Sequence, residues 1–264
     1  MTTEYAFKTA SDDGRVQVDT LAAILDGTST QLLNELCPQP GWRCLELGAG
    51  NGSIARWIAD RVGPTGSVDA IDIDTDHIEH APGVTIHSHD INQGFPVDDR
   101  YDLIHTRLLL MHLHRRREIF EALVDRLTPD GWLVIGDVGP IVPTAVTGRE
   151  DADIALFDHV LDIGLRLAAP SVGMDLGWAH EVSGHMRAAG LDRIHAAERR
   201  FTATGGSEGM LYYRSLVQQL EPVLQAHGLS EEDLWRFANI MLDPTFAAWS
   251  FQFTFTCGRR PAHR

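Results

Sequence analysis

Lysine is nearly absent. The 264 residues hold one, Lys8, so lysine-dependent cofactors such as pyridoxal phosphate are set aside. Cysteine is sparse as well. Cys37, Cys44 and Cys257 form no CxxC pair and no zinc spacing, and an odd, small count fits a reducing compartment. Long apolar runs are missing. The first thirty residues carry no signal-peptide core, and no stretch of eighteen apolar residues offers a membrane span. A cytoplasmic protein with no membrane partner is expected. Positive charge is short: 22 Lys plus Arg stand against 37 Asp plus Glu, a formal net charge of −15. Nucleic acid, which needs a basic surface, is a poor partner. The run Arg115-Arg116-Arg117 is a local exception and reads as a solvated helix start. No carboxylate cluster suited to a divalent ion stands out, so no metal is expected.

What is present is a globular composition, 44% apolar and 22% charged. The length allows one large domain or a core with a lid. Residues 1–40 read as an N-terminal helical cap. Val18, Leu21, Ala22 and Leu25 repeat at helical spacing, Asp26-Gly27 is expected to break the helix, and Thr28 to cap a second one carrying Leu32, Leu33 and Leu36. Residues 41–140 alternate strand and helix. Strands are expected at 43–47, 67–72, 84–87, 101–105 and 132–137, with Asp74 capping a short helix. A long helix bears Ile119, Phe120, Leu123, Val124 and Leu127, and Pro129-Asp130-Gly131 turns the chain into the fifth strand. This alternation predicts a Rossmann-like doubly wound α/β sheet, mostly parallel. Residues 141–188 read as a helical insertion or lid, amphipathic from Ile154 to Ala168. Residues 189–264 complete the core of what is read as one structural domain. They supply a strand near 193–201, helices near 207–227 and 230–242, and a last strand in which Trp249, Phe251, Phe253, Phe255 and Cys257 alternate with polar residues. The terminal strand and N-terminal helices cover either the core or a second copy in a homodimer.

The informative segment is Leu45-Glu46-Leu47-Gly48-Ala49-Gly50-Asn51-Gly52-Ser53. A strand runs into three alternating glycines and then a helix, a layout that lets a nucleotide-like ligand approach the backbone. The dinucleotide fingerprint requires a glycine where Ser53 stands. Glu46, two residues before Gly48, would repel a pyrophosphate and suit a cation. Asp72, at the end of the second strand, is placed to accept from ribose hydroxyls, and Asp90, after the third, from the adenine amine. Ile73 and Ile91 adjoin these acids and are placed to sandwich the adenine. The ligand so described is an adenosine with a positively charged amino-acid arm and no phosphate. Plainer readings stand beside each assignment. The glycines serve close packing, Asp72 and Asp90 are helix N-caps, Glu46 is solvated, and Arg107 pairs with an acid.

The segment 44–53, the strand ends at Asp72 and Asp90, and Leu127-Thr128-Pro129-Asp130-Gly131-Trp132 resemble a class I S-adenosylmethionine-dependent methyltransferase. The resemblance covers about residues 41–137 and the terminal strand, which such proteins insert antiparallel. Ala55-Arg56-Trp57 and the arginine-rich composition are similar to small-molecule enzymes of actinobacterial natural-product pathways. The resemblance implies S-adenosylmethionine as cofactor and S-adenosylhomocysteine as product. It implies that Gly48, Ala49 and Gly50 face the methionine arm with Glu46 near its amino group. Asp72 would hold the ribose and Asp90 the adenine amine, and Arg107 would meet the methionine carboxylate or a substrate carbonyl. The acceptor expected is a small, hydrophobic molecule methylated at O, N or C.

Methyl transfer is an in-line displacement in which orientation alone supplies much of the rate. A base helps where the acceptor is a hydroxyl or a protonated amine. His112 and, less centrally, His114 follow the fourth strand, and Asp137 ends the fifth. His112 as base and Asp137 as substrate-orienting group are the candidate catalytic residues. The loop after the fourth strand, Thr106-Arg107-Leu108-Leu109, lacks the Asn-Pro-Pro-aromatic motif of amino-methylating DNA enzymes. Two other readings remain: a protein of this fold that binds the cofactor for a non-methylating rearrangement or for binding alone, and a nicotinamide dehydrogenase, which Ser53 and Glu46 disfavour.

Overall fold

The computed structural model describes residues 12–262. Helix α1 (Asp12–Glu35) comes first. β1 (Arg43–Leu47), α2 (Ser53–Val62), β2 (Ser67–Asp72), β3 (Val84–Ser88), β4 (Tyr101–Arg107), α3 (Arg116–Asp125) and β5 (Leu127–Val138) follow in the expected alternation. Then come β6 (Ala145–Thr147), α4 (Asp151–Ile163), a π-helical turn (Gly164–Ala168), α5 (Ala169–Ser171), α6 (Trp178–Ala188), β7 (Asp192–Arg199), β8 (Thr202–Thr204), α7 (Glu208–Gln219), α8 (Glu221–Ala226), α9 (Glu231–Ile240), β9 (Ala247–Trp249) and β10 (Phe253–Arg259).

The chain divides into two compact units. Of the described residues, one comprises 25–137, 177–198 and 254–262; the other comprises 12–24, 138–176 and 199–253. The division differs from the four stretches and single domain read from the sequence, because α6 groups with the sheet and not with the insertion.

The first unit carries a seven-stranded sheet in the order β3-β2-β1-β4-β5-β10-β7. β1 pairs in parallel with β2 and β4, β2 with β3, and β4 with β5. β10 is antiparallel to β5: Asp130 N–H donates to the Arg260 carbonyl near one end of the pair, and Gly139 N–H to the Gln252 carbonyl near the other. Both sheet faces are covered, so the strands read as apolar runs. Leu45, Leu47, Ile104, Leu133 and Ile135 pack with Phe120, Leu123 and Trp178 on one side. Cys44, Val68, Ala70, Leu103 and Val134 pack with Ile54, Ile58 and Val62 of α2 on the other. The strand order reverses between β1 and β4, and such switch points place ligands at the carboxyl ends of the strands.

In the second unit, Phe157 of α4 stacks on Phe237 of α9 at 5.7 Å and meets Tyr213 of α7 edge-on at 5.5 Å. A small sheet, β6-β9-β8, completes it.

Several local expectations are corrected. α1 runs unbroken through Asp26-Gly27, and Thr28 lies inside it. A helical glycine costs about 1 kcal/mol, which burial of Leu25, Ser29 and Leu33 offsets. Asp74 caps no helix; its Oδ1 accepts from Asp76 N–H in a turn. Leu127 belongs to β5 and not to α3, and Pro129-Asp130-Gly131 is a bulge inside that strand. Tyr101 pairs with Leu127 and Leu103 with Trp132, so five steps on β5 oppose two on β4. The aromatic terminal strand is two strands, β9 and β10, in different sheets. Its alternation marks no inside and outside, since Phe253, Thr254, Phe255 and Thr256 are all buried.

Candidate functional site

β1 leads into Gly48-Ala49-Gly50-Asn51-Gly52, and α2 starts at Ser53. Gly48, Gly50 and Gly52 have φ of 76°, 57° and 75°, a region that side chains disfavour. Space is a second constraint. A Cβ on Gly48 would lie 3.2 Å from Leu109 Cδ2, and one on Gly52 2.7 Å from Ile78 Cγ2.

The N–H donors of Gly48, Ala49, Gly50 and Gly52 in this turn are satisfied internally. Gly48 and Ala49 N–H donate to the Ile71 carbonyl, and Gly52 N–H to the Ala49 carbonyl. Gly50 N–H donates to Asp72 Oδ2 at 2.8 Å, and Ser53 N–H to Asn51 Oδ1 at 3.1 Å. The N–H groups of Gly52 and Ser53, where α2 begins, are therefore taken. An anion site needs converging unsatisfied donors. Here Asp72 is bound to the turn and Glu46 lies two residues before it, so the groups suit a cation and hydroxyl donors.

Asp72 Oδ1 also accepts from Asp74 N–H at 3.1 Å. Ile73 N–H faces the carboxylate as well, so three backbone donors stand against its four lone pairs. Burial raises its pKa, against the pull of these N–H bonds. Beside it Ile73 is 55% exposed, an apolar side chain presented to solvent. Ile91 is buried with Leu47 and Ile71 in the sheet core, so of the expected adenine sandwich only Ile73 offers an open face. Asp90 caps the short turn Ile91–Gln93, its Oδ1 accepting from Asn92 N–H at 2.9 Å. The plainer N-cap reading holds there, and Oδ2 has only a long 3.5 Å contact from Gln93 Nε2.

Glu46 is not a solvated strand residue. It is buried, and its Oε2 accepts from His105 Nδ1 at 2.8 Å. Arg107 does not present a free guanidinium: Nη2 donates to Asp26 Oδ1 and Nη1 to Ser29 Oγ, each at 2.9 Å. Both terminal nitrogens are tied to α1, as in the plainer reading that pairs Arg107 with an acid.

His112 ends a single turn, Leu110–His112. Burial, together with Arg116, holds its imidazole down to about 4, so it is neutral at pH 7 and a weak base. Asp137 lies under the loop and not on an open rim, with 2% of its surface exposed. Burial pushes it up to about 8, and its carboxylate faces the N–H groups of Met111 and Leu109 without closing an ordinary hydrogen bond. Arg116, whose charge acts on both, donates to the Leu110 and Met111 carbonyls. Asp137 and His112 thus belong to one cluster that shapes the loop after β4. Among the described residues, no group of three or more His, Cys, Asp or Glu could hold a metal, and no helix is long and apolar enough to cross a membrane.

Sequence reasoning missed His105, Asp26, Ser29 and Leu109. A signal existed for His105. It interrupts the apolar strand Leu103-Ile104-His105, and a β1–β4 neighbourhood places it beside Glu46.

The family model for a methyltransferase domain matches residues 21–187. Methyltransferase str2 of Strobilurus tenacellus is 34% identical over 124 residues, 45% of this chain and 44% of that protein. The chain thus matches less than half the length of that relative. Among solved structures, Haemonchus contortus phosphoethanolamine N-methyltransferase 2, in complex with phosphomonomethylethanolamine and S-adenosylhomocysteine, superposes with a TM-score of 0.59. It is 15% identical, and the match covers 97% of this chain and 59% of that one. The YcgJ protein of Bacillus subtilis gives 0.56 at 16% identity, over 89% of this chain and 99% of that one. At such identities the likeness establishes the fold.

Proposed function

This chain belongs to the methyltransferase domain family, and from that membership we propose that it moves a methyl group from S-adenosylmethionine to O, N or C of a small, hydrophobic acceptor. The observation that carries the reading is the glycine turn, with its donors satisfied internally and carboxylates at Glu46, Asp72 and Asp90. The residues present fit the cofactor. Gly48 and Gly50, at φ of 76° and 57°, hold the backbone in the tight turn a ligand would approach. Asp72 keeps acceptor capacity for a ribose hydroxyl, and Asp90 Oδ2 is available to an exocyclic amine. Glu46 Oε1 is left for an ammonium, and Ile73 offers an apolar face to a base. Nothing in this set suits a pyrophosphate, which disfavours a dinucleotide.

When bound, S-adenosylmethionine supplies a methyl group already activated on a sulfonium. The work left to this chain is to hold the cofactor and the acceptor in line. His112, neutral at pH 7, accepts a proton only weakly, so a strong rate contribution from it is not expected unless the acceptor hydroxyl is itself acidic. Asp137 acts on the loop, not on the acceptor.

The test is incubation with methyl-labelled S-adenosylmethionine and a panel of phenols, amines and activated carbon acids, followed by extraction. Label is expected in at least one extracted product. Saturable cofactor binding with no label moved across the panel would favour a protein of this fold that does not methylate.

A further inference from the structure

We propose that His105 is a positioning residue, holding the Glu46 carboxylate in place for the ammonium of the cofactor's amino-acid arm. The inference rests on the cofactor reading above and extends it to a residue on the neighbouring strand. Glu46 and His105 are paired across β1 and β4, so their side chains leave the sheet on the same face. His105 Nδ1 lies 2.8 Å from Glu46 Oε2, with side chains 0% and 3% exposed. The carboxylate can only accept, so Nδ1 carries the hydrogen. The other ring nitrogen, Nε2, is buried without a partner.

The arrangement is incomplete in two ways that point to a ligand. A buried carboxylate is costly unless its charge is matched, and the ion pairs of the described residues give Glu46 His105 and no arginine. An apolar side chain at position 105 would avoid the unsatisfied Nε2. The histidine instead fixes one carboxylate oxygen and leaves Oε1, two residues before the glycine turn, to a cation arriving from outside. The imidazole holds the carboxylate through a single ring N–H, where an arginine at position 105 would bring a permanent charge and a fork of donors.

The test compares S-adenosylhomocysteine with 5′-methylthioadenosine, which shares the adenosine and thioether but lacks the amino-acid arm. His105→Leu removes the donor. His105→Gln carries an amide at the reach of Nε2, and His105→Asn carries one near the position of Nδ1. Calorimetry is expected to show S-adenosylhomocysteine weakened about tenfold or more by Leu and Gln, the worth of a hydrogen bond to a charged group. Binding of 5′-methylthioadenosine should stay within about twofold, and Asn should restore most of the loss. If the Leu variant fails to fold, the contrast between Gln and Asn decides. Equal weakening of both ligands would make His105 merely structural, and no weakening of either would remove its role; either result overturns the proposal. Wild-type protein that binds neither ligand overturns the cofactor reading itself, and this inference with it.

Discussion

Asp72 takes Gly50 N–H on one oxygen and Asp74 N–H on the other, so the side chain that shapes the turn is also the one proposed to hold the ribose. Asp72→Ala is expected to weaken S-adenosylmethionine binding by about 1.5–3 kcal/mol, the range for charge-assisted hydrogen bonds; unchanged affinity in a titration would contradict its role. Asp137 and His112 make a second prediction through pH. A carboxyl raised to about 8 in the folded state holds a proton that the unfolded chain, titrating near 3.9, has lost. Stability therefore falls as pH rises from about 4 to about 8. His112, lowered to about 4, has the opposite sign and adds stability as pH rises from about 4 to about 6.5. The two oppose below that point, and above it Asp137 acts alone. Thermal melts between pH 6.5 and 8 should show a falling Tm that Asp137→Asn flattens. The same slope in both proteins would count against a buried carboxyl there.

At the scale of elements, the tie between Arg107 at the end of β4 and Asp26 and Ser29 of α1 fixes part of that helix against the sheet. Asp26 is 30% exposed and Arg107 12%, so screening reduces the pair's worth to about 1–2 kcal/mol. A double-mutant cycle of Arg107→Ala and Asp26→Ala should return a coupling of about that size; additive losses would mean that the two side chains do not act together. A different network joins the strands where they begin. Asp69 of β2 accepts from Tyr101 Oη at 3.1 Å and meets His87 Nε2 at 2.9 Å and Arg43. Asp69→Ala would strand the buried Tyr101 hydroxyl at a cost of about 1–3 kcal/mol in urea unfolding. Cofactor affinity should be unchanged, because Arg43 and Tyr101 open β1 and β4 while the glycine turn follows the far end of β1. A parallel loss of affinity would contradict that separation.

Much of the sheet was legible, because β1 and β2 begin and end where the strand-helix alternation says they should. The misses have physical causes. α1 crosses Asp26-Gly27 because side-chain burial outweighs one glycine. The bulge at Pro129-Asp130-Gly131 looks like a turn because its ladder partner, Arg260 of the segment following β10, is far away in sequence. The site was legible where the backbone itself demands glycine and where acids end strands. It was not legible where a side chain has a distant partner, as with Glu46 and His105 or Arg107 and Asp26.

At the scale of the whole molecule, the chain is an acidic methyltransferase-family protein of two compact units, with net charge −15. Its sheet reverses order between β1 and β4, where the glycine turn, Glu46 and His105 are brought together. The central claim is that this turn holds S-adenosylmethionine. Isothermal titration of the purified protein with S-adenosylmethionine and S-adenosylhomocysteine, beside reduced nicotinamide adenine dinucleotide, tests it most directly. The account predicts saturable micromolar binding of the two sulfur ligands and none of the dinucleotide. Absence of heat with either sulfur ligand, or binding of the dinucleotide in their place, would contradict it.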